Sequence, residues 1–280
     1  MYREDPARLT KINGIPFITF PALDNLAMVK AVFSTRYGGV SSGIYTSMNL
    51  NNDRGDNPEA VAENFRRVSV ALHTELDHMV RSDQTHTANV RVMTQEDAGK
   101  GLVRERDYQD VDGMITDVPG LMLVSSHADC VPLFFVDPVR KAIGLTHSGW
   151  KGTVQRIGKV TIEKMQETYG SNPSDLIAVV GPSICVDCYE IGEDVAEAFR
   201  QDFQEDQWPS ILKPGKPGKH QLDLWEANRI ILEEAGVKPE NITISGLCTS
   251  CHSDLLWSHR KTKGQRGGLC AFLQLIPEGI

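Results

Sequence analysis

His86, Cys130 and His147 are side chains of types that do chemistry together. Two imidazoles and a thiolate suit a catalytic zinc, which takes three protein ligands and leaves a fourth position open. They are far apart in sequence and form no local motif. Spacing alone therefore leaves a second reading open: a loop histidine, a small buried cysteine and a strand-end histidine with an ordinary partner. A further set competes for metal. Cys185-x-x-Cys188 and Cys248-x-x-Cys251, followed by His252, have the form of paired knuckles. A helix, a long loop and another helix are expected between them, which is wide for a compact zinc ribbon. Cys188-Tyr189-Glu190-Ile191 also reads as an element boundary, so the spacing argues against a structural zinc there. Lys151, in Gly149-Trp150-Lys151-Gly152-Thr153, opens a helix and suits a phosphate or a plain strand-to-helix turn; the full GxxxxGK(S/T) pattern is missing. Arg36 sits in the glycine- and serine-rich stretch 35–43, which reads as a connecting loop or as a binding loop whose arginine meets an anion or purine edge.

These residues need a scaffold, and the stretch 121–153 supplies its centre. Leu121–Ser125, Val131–Val136 and Ala142–Thr146 are apolar runs expected to be buried strands. Cys130 and His147 fall at their ends, with Asp137-Pro138 as a turn. Further strands are expected at Pro16–Phe20, Lys30–Ser34, Met79–Arg81, Val90–Met93, Val111–Asp117, Leu176–Val180, Ile242–Gly246 and Leu269–Leu275. Asn57-Pro58-Glu59 predicts a helix start running to about His73. Thr153–Tyr169, Glu193–Phe203 and Asp223–Ala235 predict further helices, the first and last closed by Gly170 and Gly236. Residues 1–14 are expected to be peripheral, 96–110 to be a mobile loop and 207–220 to be an exposed loop. Strands and helices alternate without a linker, which predicts one α/β domain over residues 1–280. Some neighbouring strands are too close for a crossover helix, so layered mixed sheets flanked by helices are expected.

The chain has 280 residues, a formal net charge of -8 and six cysteines. The acidic balance argues against nucleic-acid or anionic-membrane partners, while leaving room for a local basic pocket. No apolar run approaches the roughly 20 residues of a membrane span. The first residues lack the order of a signal peptide. A cytoplasmic protein with its cysteines reduced is therefore expected.

Several blocks together resemble one family: FSTRYGGVS at 33–41, SMNL at 47–50, QTH at 84–86, VDGMIT at 111–116, ADCVPLFFVDP at 128–138, THSGWKGT at 146–153 and GPSICVDCYEIG at 181–192. This is the YfiH/YlmD/LACC1 family, once described as laccase-like multicopper polyphenol oxidases and later as purine nucleoside phosphorylases. The resemblance implies its fold, shared with cytotoxic necrotizing factor-like proteins. It also implies a zinc bound by His86, Cys130 and His147, and nucleoside contacts from Arg36 and Asn49. The implied reactions are phosphorolysis of adenosine, inosine, guanosine or methylthioadenosine and hydrolytic deamination of adenosine. Asp129 and Asp112 are then candidates for proton transfer or ligand support, and Lys151 for phosphate. Two other chemistries stay open: a metal-free hydrolase using Cys130 with His147, and a copper-dependent phenol oxidase. The chain departs from the family at His127, a possible extra proton donor or competing ligand, and at Arg260-Lys261, where the family has paired arginines. Assembly as a monomer or a homodimer is compatible with the sequence.

Overall fold

The computed structural model describes residues 6–277. Its strands are β1 (Arg8–Ile12), β2 (Ile15–Thr19), β3 (Val29–Ser34), β4 (Met79–Arg81), β5 (Val90–Val92), β6 (Gly113–Thr116), β7 (Met122–His127), β8 (Val131–Asp137), β9 (Ala142–Ser148), β10 (Ile177–Val180), β11 (Glu190–Gly192), β12 (Leu212–Pro214), β13 (Lys219–Leu222), β14 (Ile242–Ile244) and β15 (Leu269–Leu275). Its α-helices are α1 (Pro21–Asp24), α2 (Pro58–Ala71), α3 (Trp150–Val154), α4 (Ile157–Tyr169), α5 (Glu193–Asp202), α6 (Trp208–Ile211), α7 (Leu224–Glu234) and α8 (His259–Thr262).

Two six-stranded sheets carry the fold, ordered β1-β2-β3-β15-β7-β4 and β14-β10-β8-β9-β6-β5. Most pairs are antiparallel, while β4–β7, β5–β6 and β10–β14 are parallel, so the sheets are mixed as expected. Residue alternation assigns the layers. Phe33, Leu123 and Leu273 of the first sheet meet Phe134, Val136 and Leu145 of the second in one shared core. The opposite face of the first sheet, with Val32, Val124 and Phe272, packs on Val61, Phe65 and Val68 of α2. The opposite face of the second, with Leu133, Phe135 and Val180, packs on Ile162 and Met165 of α4, Phe199 of α5 and Ile231 of α7. Central strands covered on both faces read as continuous apolar runs, which is why 131–136 shows no polar alternation. Truncating Phe134, fully buried between the sheets, should cost about 3–5 kcal/mol.

The α2 start follows the sequence: Asn57 accepts a hydrogen bond from the Glu59 amide at 2.8 Å, with Pro58 in the first turn. Two expectations need correction. The helix expected over 153–169 is broken, because Arg156 takes a left-handed backbone (φ +55°) between α3 and α4. Its guanidinium reaches Asp202 and Glu234 and lies over Phe203, tying the break to α5 and α7. Within 207–220, expected to be an exposed loop, α6 and β12 form, and β13 begins. β12 and β13 pair with each other and β13 with β11, so backbone pairing outweighs the Pro/Gly/Lys composition. In the N-terminal segment Arg8–Ile12 is an edge strand, and residues 1–5 lie outside the described residues.

Candidate active site

The β8–β9 hairpin sets the site. Its register pairs Val131 with Ser148 and Pro132 with His147, so Cys130, just before β8, comes beside His147 at the end of β9. A Cβ at Gly149 would stand 3.0 Å from the His86 ring and 3.1 Å from the Cys130 sulfur, so a side chain at this turn would crowd the converging groups. His86 arrives from the 82–89 loop. There the Gln84 amide accepts from the Ser126 N–H and donates to the Ser126 carbonyl, both at 2.7 Å, as a neighbouring strand would.

Asp112 organises both histidines. One carboxylate oxygen lies 2.7 Å from Nδ1 of His147. The other accepts from the backbone N–H of Thr85 at 2.9 Å and of Thr87 at 3.0 Å, the two residues flanking His86. His86 itself has a left-handed backbone, φ +68°. With its Nδ1 proton held by Asp112, His147 turns Nε2 toward Cys130 and His86. Each of His86, Cys130 and His147 offers a ligand atom, and these atoms all lie within 4.8 Å of one another. A borderline-soft donor set with a carboxylate behind one imidazole fits a zinc-type divalent ion.

The electrostatics agree with a tightly coupled site. Desolvation pushes the Cys130 thiol up, but the charge and hydrogen bond of His147 outweigh it and bring the thiol to about 6. Burial depresses His147, and the Cys130 thiolate and Asp112 raise it to about 9. Burial opposes ionisation of Asp112, yet its bonds to His147, Thr85 and Thr87 hold it below the usual carboxylate range. Without metal, Cys130 and His147 thus each favour the other's charged form. His127, whose ring centroid lies 5.3 Å from that of His147, is not one of the converging ligand groups. Its Nδ1 donates to the Cys130 carbonyl at 3.2 Å, so Nε2 accepts from the Ser125 hydroxyl at 2.8 Å, and burial keeps the ring neutral. It braces the Cys130 backbone with both nitrogens occupied.

These groups open into a cavity of about 280 Å³, near the lower end of small-molecule sites. Arg54, Arg81, Arg106 and Arg266 line it, beside Asp53 and Asp83. Arg106 is neutralised by Asp83 at 3.0 Å, and Arg81 donates to the Ser126 hydroxyl at 2.9 Å. Arg266 is buried and its Nε has no hydrogen-bond partner among the described residues. Burial and the neighbouring Arg54 push its pKa down to about 10. Sequence reasoning missed this arginine wall. The signal within reach was Arg266 itself, framed by Gly264 and Gly267-Gly268.

Asp129, Asn49, Arg36 and Lys151, all singled out from sequence, do not line this cavity. Asp129 accepts from the Thr249 hydroxyl and the Arg260 amide, both at 2.6 Å, so both its oxygens are engaged behind Cys130. Asn49 is fully buried. Its carbonyl accepts from Asn51 and Gly268 and its amide donates to Asp56, which makes it a brace, out of reach of a ligand. Arg36 donates to the Ser253 and Thr46 carbonyls and lies 3.9 Å over the Trp257 ring, joining the 35–48 loop to the C-terminal segment. Lys151 is exposed on the five-residue helix α3, with its ammonium over Trp150.

The sequence pattern of the multi-copper polyphenol oxidoreductase laccase family matches residues 30–276. The chain belongs to this family. It is 39% identical over 254 residues to purine nucleoside phosphorylase YlmD of Bacillus subtilis, covering 88% of each chain. It is 33% identical over 246 residues to adenosine deaminase RL5 of an unknown prokaryotic organism, covering 85% of this chain and 93% of that one. The crystal structure of YfiH from Bacillus licheniformis superposes with a TM-score of 0.90 at 33% identity, covering 97% of this chain and 99% of that one. The sequence resemblance to YfiH and YlmD is thereby borne out, and with it the layered fold.

Proposed function

We propose that this family member is a zinc-dependent purine nucleoside enzyme. Its reactions are phosphorolysis of adenosine, inosine, guanosine or methylthioadenosine and hydrolytic deamination of adenosine. The observation that carries the reading is the convergence of His86, Cys130 and His147 on the floor of an arginine-lined cavity. The names of the YlmD and RL5 relatives support the two reactions.

His86, Cys130 and His147 would hold the ion, with Asp112 keeping His147 in the tautomer that frees Nε2. A zinc there supplies Lewis-acid activation of an oxygen nucleophile at neutral pH. In phosphorolysis, phosphate oxygen bonds to the ribose anomeric carbon as the bond to the purine nitrogen breaks, releasing sugar phosphate and base. Arg266, which lines the cavity, and exposed Arg54 would bind and orient the phosphate. Arg81 and Arg106 are committed to Ser126 and Asp83 and shape the wall. In deamination, water adds at the purine C6 and ammonia leaves, which needs no phosphate. One chain supplies the whole site as a single domain, and its partners are free nucleoside and phosphate in the cytoplasm.

A second reading has its own observation: the Asp112–His147–Cys130 series, with a lowered thiol and a raised imidazole, is also the arrangement of a metal-free cysteine hydrolase. Elemental analysis for zinc and copper, together with inosine turnover with and without phosphate, separates the readings. Hypoxanthine release that depends on both phosphate and bound zinc supports ours. Copper at stoichiometry with phenol oxidation, or turnover undiminished after chelation, would overturn it.

A further inference from the structure

The spacing of Cys185, Cys188, Cys248 and Cys251 argued against a common site, and the sheet order reverses that expectation. β10 and β14 are parallel neighbours, so the segments leaving their C-terminal ends run side by side. Ser183 bridges to Cys248, the Ser183 amide donates to Leu247 O at 3.2 Å and the Thr249 amide to Ser183 O at 3.1 Å. The two Cys-x-x-Cys segments therefore face each other despite the 59 residues between Cys188 and Cys248.

All four sulfurs lie within 4.8 Å of one another. Cys251 Sγ is 3.9 Å from Cys185 Sγ and 3.5 Å from Cys188 Sγ. Four thiolates around zinc at about 2.3 Å place neighbouring sulfurs about 3.8 Å apart, whereas a disulfide needs about 2.05 Å. The backbone is turned to support thiolates: the amides of Cys185 and Cys251 both donate to Cys248 Sγ, at 3.3 and 3.4 Å. Three of the sulfurs belong to residues that are buried or partly buried, and Cys251 is exposed, which leaves a route for an ion.

We infer that Cys185, Cys188, Cys248 and Cys251 form a second, structural zinc site, closed by four thiolates and separate from the His86/Cys130/His147 group. Its place gives it a task. Ile184, beside Cys185, donates its amide to the Asp129 carbonyl at 3.0 Å, and Thr249, beside Cys248, donates its hydroxyl to the Asp129 carboxylate at 2.6 Å. Both cysteine loops thus grip the residue preceding Cys130. The ion ties these loops together and so fixes the backbone from which Cys130 projects.

The test uses the full chain, purified under reducing conditions after growth with zinc. Cys130→Ala removes the first site and leaves the second untouched. We expect this variant to hold one zinc per chain, to lose it on adding Cys251→Ser at the exposed corner, and to show intense thiolate-to-metal charge transfer when reconstituted with cobalt(II). Amide exchange at 128–131, 184–189 and 248–252 should rise together when the ion is stripped. A folded Cys130→Ala protein holding no zinc overturns the inference. So do a cobalt form without the thiolate band, iron in place of zinc, or disulfides linking these cysteines after anaerobic purification.

Discussion

Asp112→Asn is the sharpest perturbation of the active site, because the carboxylate does two jobs that one amide cannot. In the native site one oxygen takes the Nδ1 proton of His147 at 2.7 Å, and the other takes two backbone amides around His86. Asparagine has a single acceptor oxygen. If that oxygen keeps the Thr85 and Thr87 amides, its NH₂ faces His147 Nδ1 and drives the proton onto Nε2, the atom needed for metal. If it turns to His147, two amides lose their acceptor and the His86 loop loosens. A hydrogen bond to a charged group contributes about 1.5–3 kcal/mol, which is roughly tenfold to a hundredfold in an equilibrium constant. Partners behind metal-ligating histidines carry effects of the same size. Zinc affinity, measured by competition with a chromophoric chelator, should fall by that factor, and nucleoside turnover at limiting zinc should fall with it. Circular dichroism should show the fold retained. A folded Asp112→Asn protein with native zinc affinity and turnover would refute the reasoning.

Three further outcomes follow from the same geometry. In the metal-free protein, iodoacetamide should alkylate Cys130 with a midpoint near pH 6 rather than the roughly 8.5 of a free thiol, the rate falling as pH drops through that value; His147→Ala should move the midpoint up, and bound zinc should protect the sulfur. Arg266→Gln should raise KM for phosphate roughly tenfold to a hundredfold while zinc content stays native and phosphate-independent deamination is less affected, as steady-state kinetics would reveal. Asn49→Ala leaves the buried amide of Gly268 without its acceptor and should lower unfolding stability by about 1–3 kcal/mol in a urea titration, with KM for nucleosides little changed.

Much of this was readable from the sequence where the determining physics is local. The Asn57-Pro58-Glu59 start and the Gly236 stop are set by a few adjacent residues, and the buried strands at 131–136 and 142–146 announce themselves by composition. The His86, Cys130 and His147 set was recognisable by residue type and family blocks. Non-local facts were not. The four cysteines meet only because β14 is added beside β10, and no spacing rule reports strand order. Arg54, Arg81, Arg106 and Arg266 come from separate segments and share a wall only once both sheets are packed. Asn49 and Arg36 carry donor types suited to a ligand, yet in the fold the Asn49 amide bonds to Asn51 and Asp56, and Nε, one Nη1 and one Nη2 hydrogen of Arg36 bond to backbone carbonyls. The break at Arg156 answers to carboxylates on α5 and α7, which the helical periodicity of 153–169 does not contain.

We propose that His86, Cys130 and His147 hold the ion on which nucleoside chemistry depends. The most direct test is a zinc titration of the chelator-stripped protein, following inosine phosphorolysis at saturating phosphate beside the bound-metal count, with Cys130→Ala in parallel. Activity should return in proportion to the ion held by these three residues, and Cys130→Ala should bind one ion fewer and stay inactive. Full turnover by the stripped protein, or by folded Cys130→Ala, would contradict it.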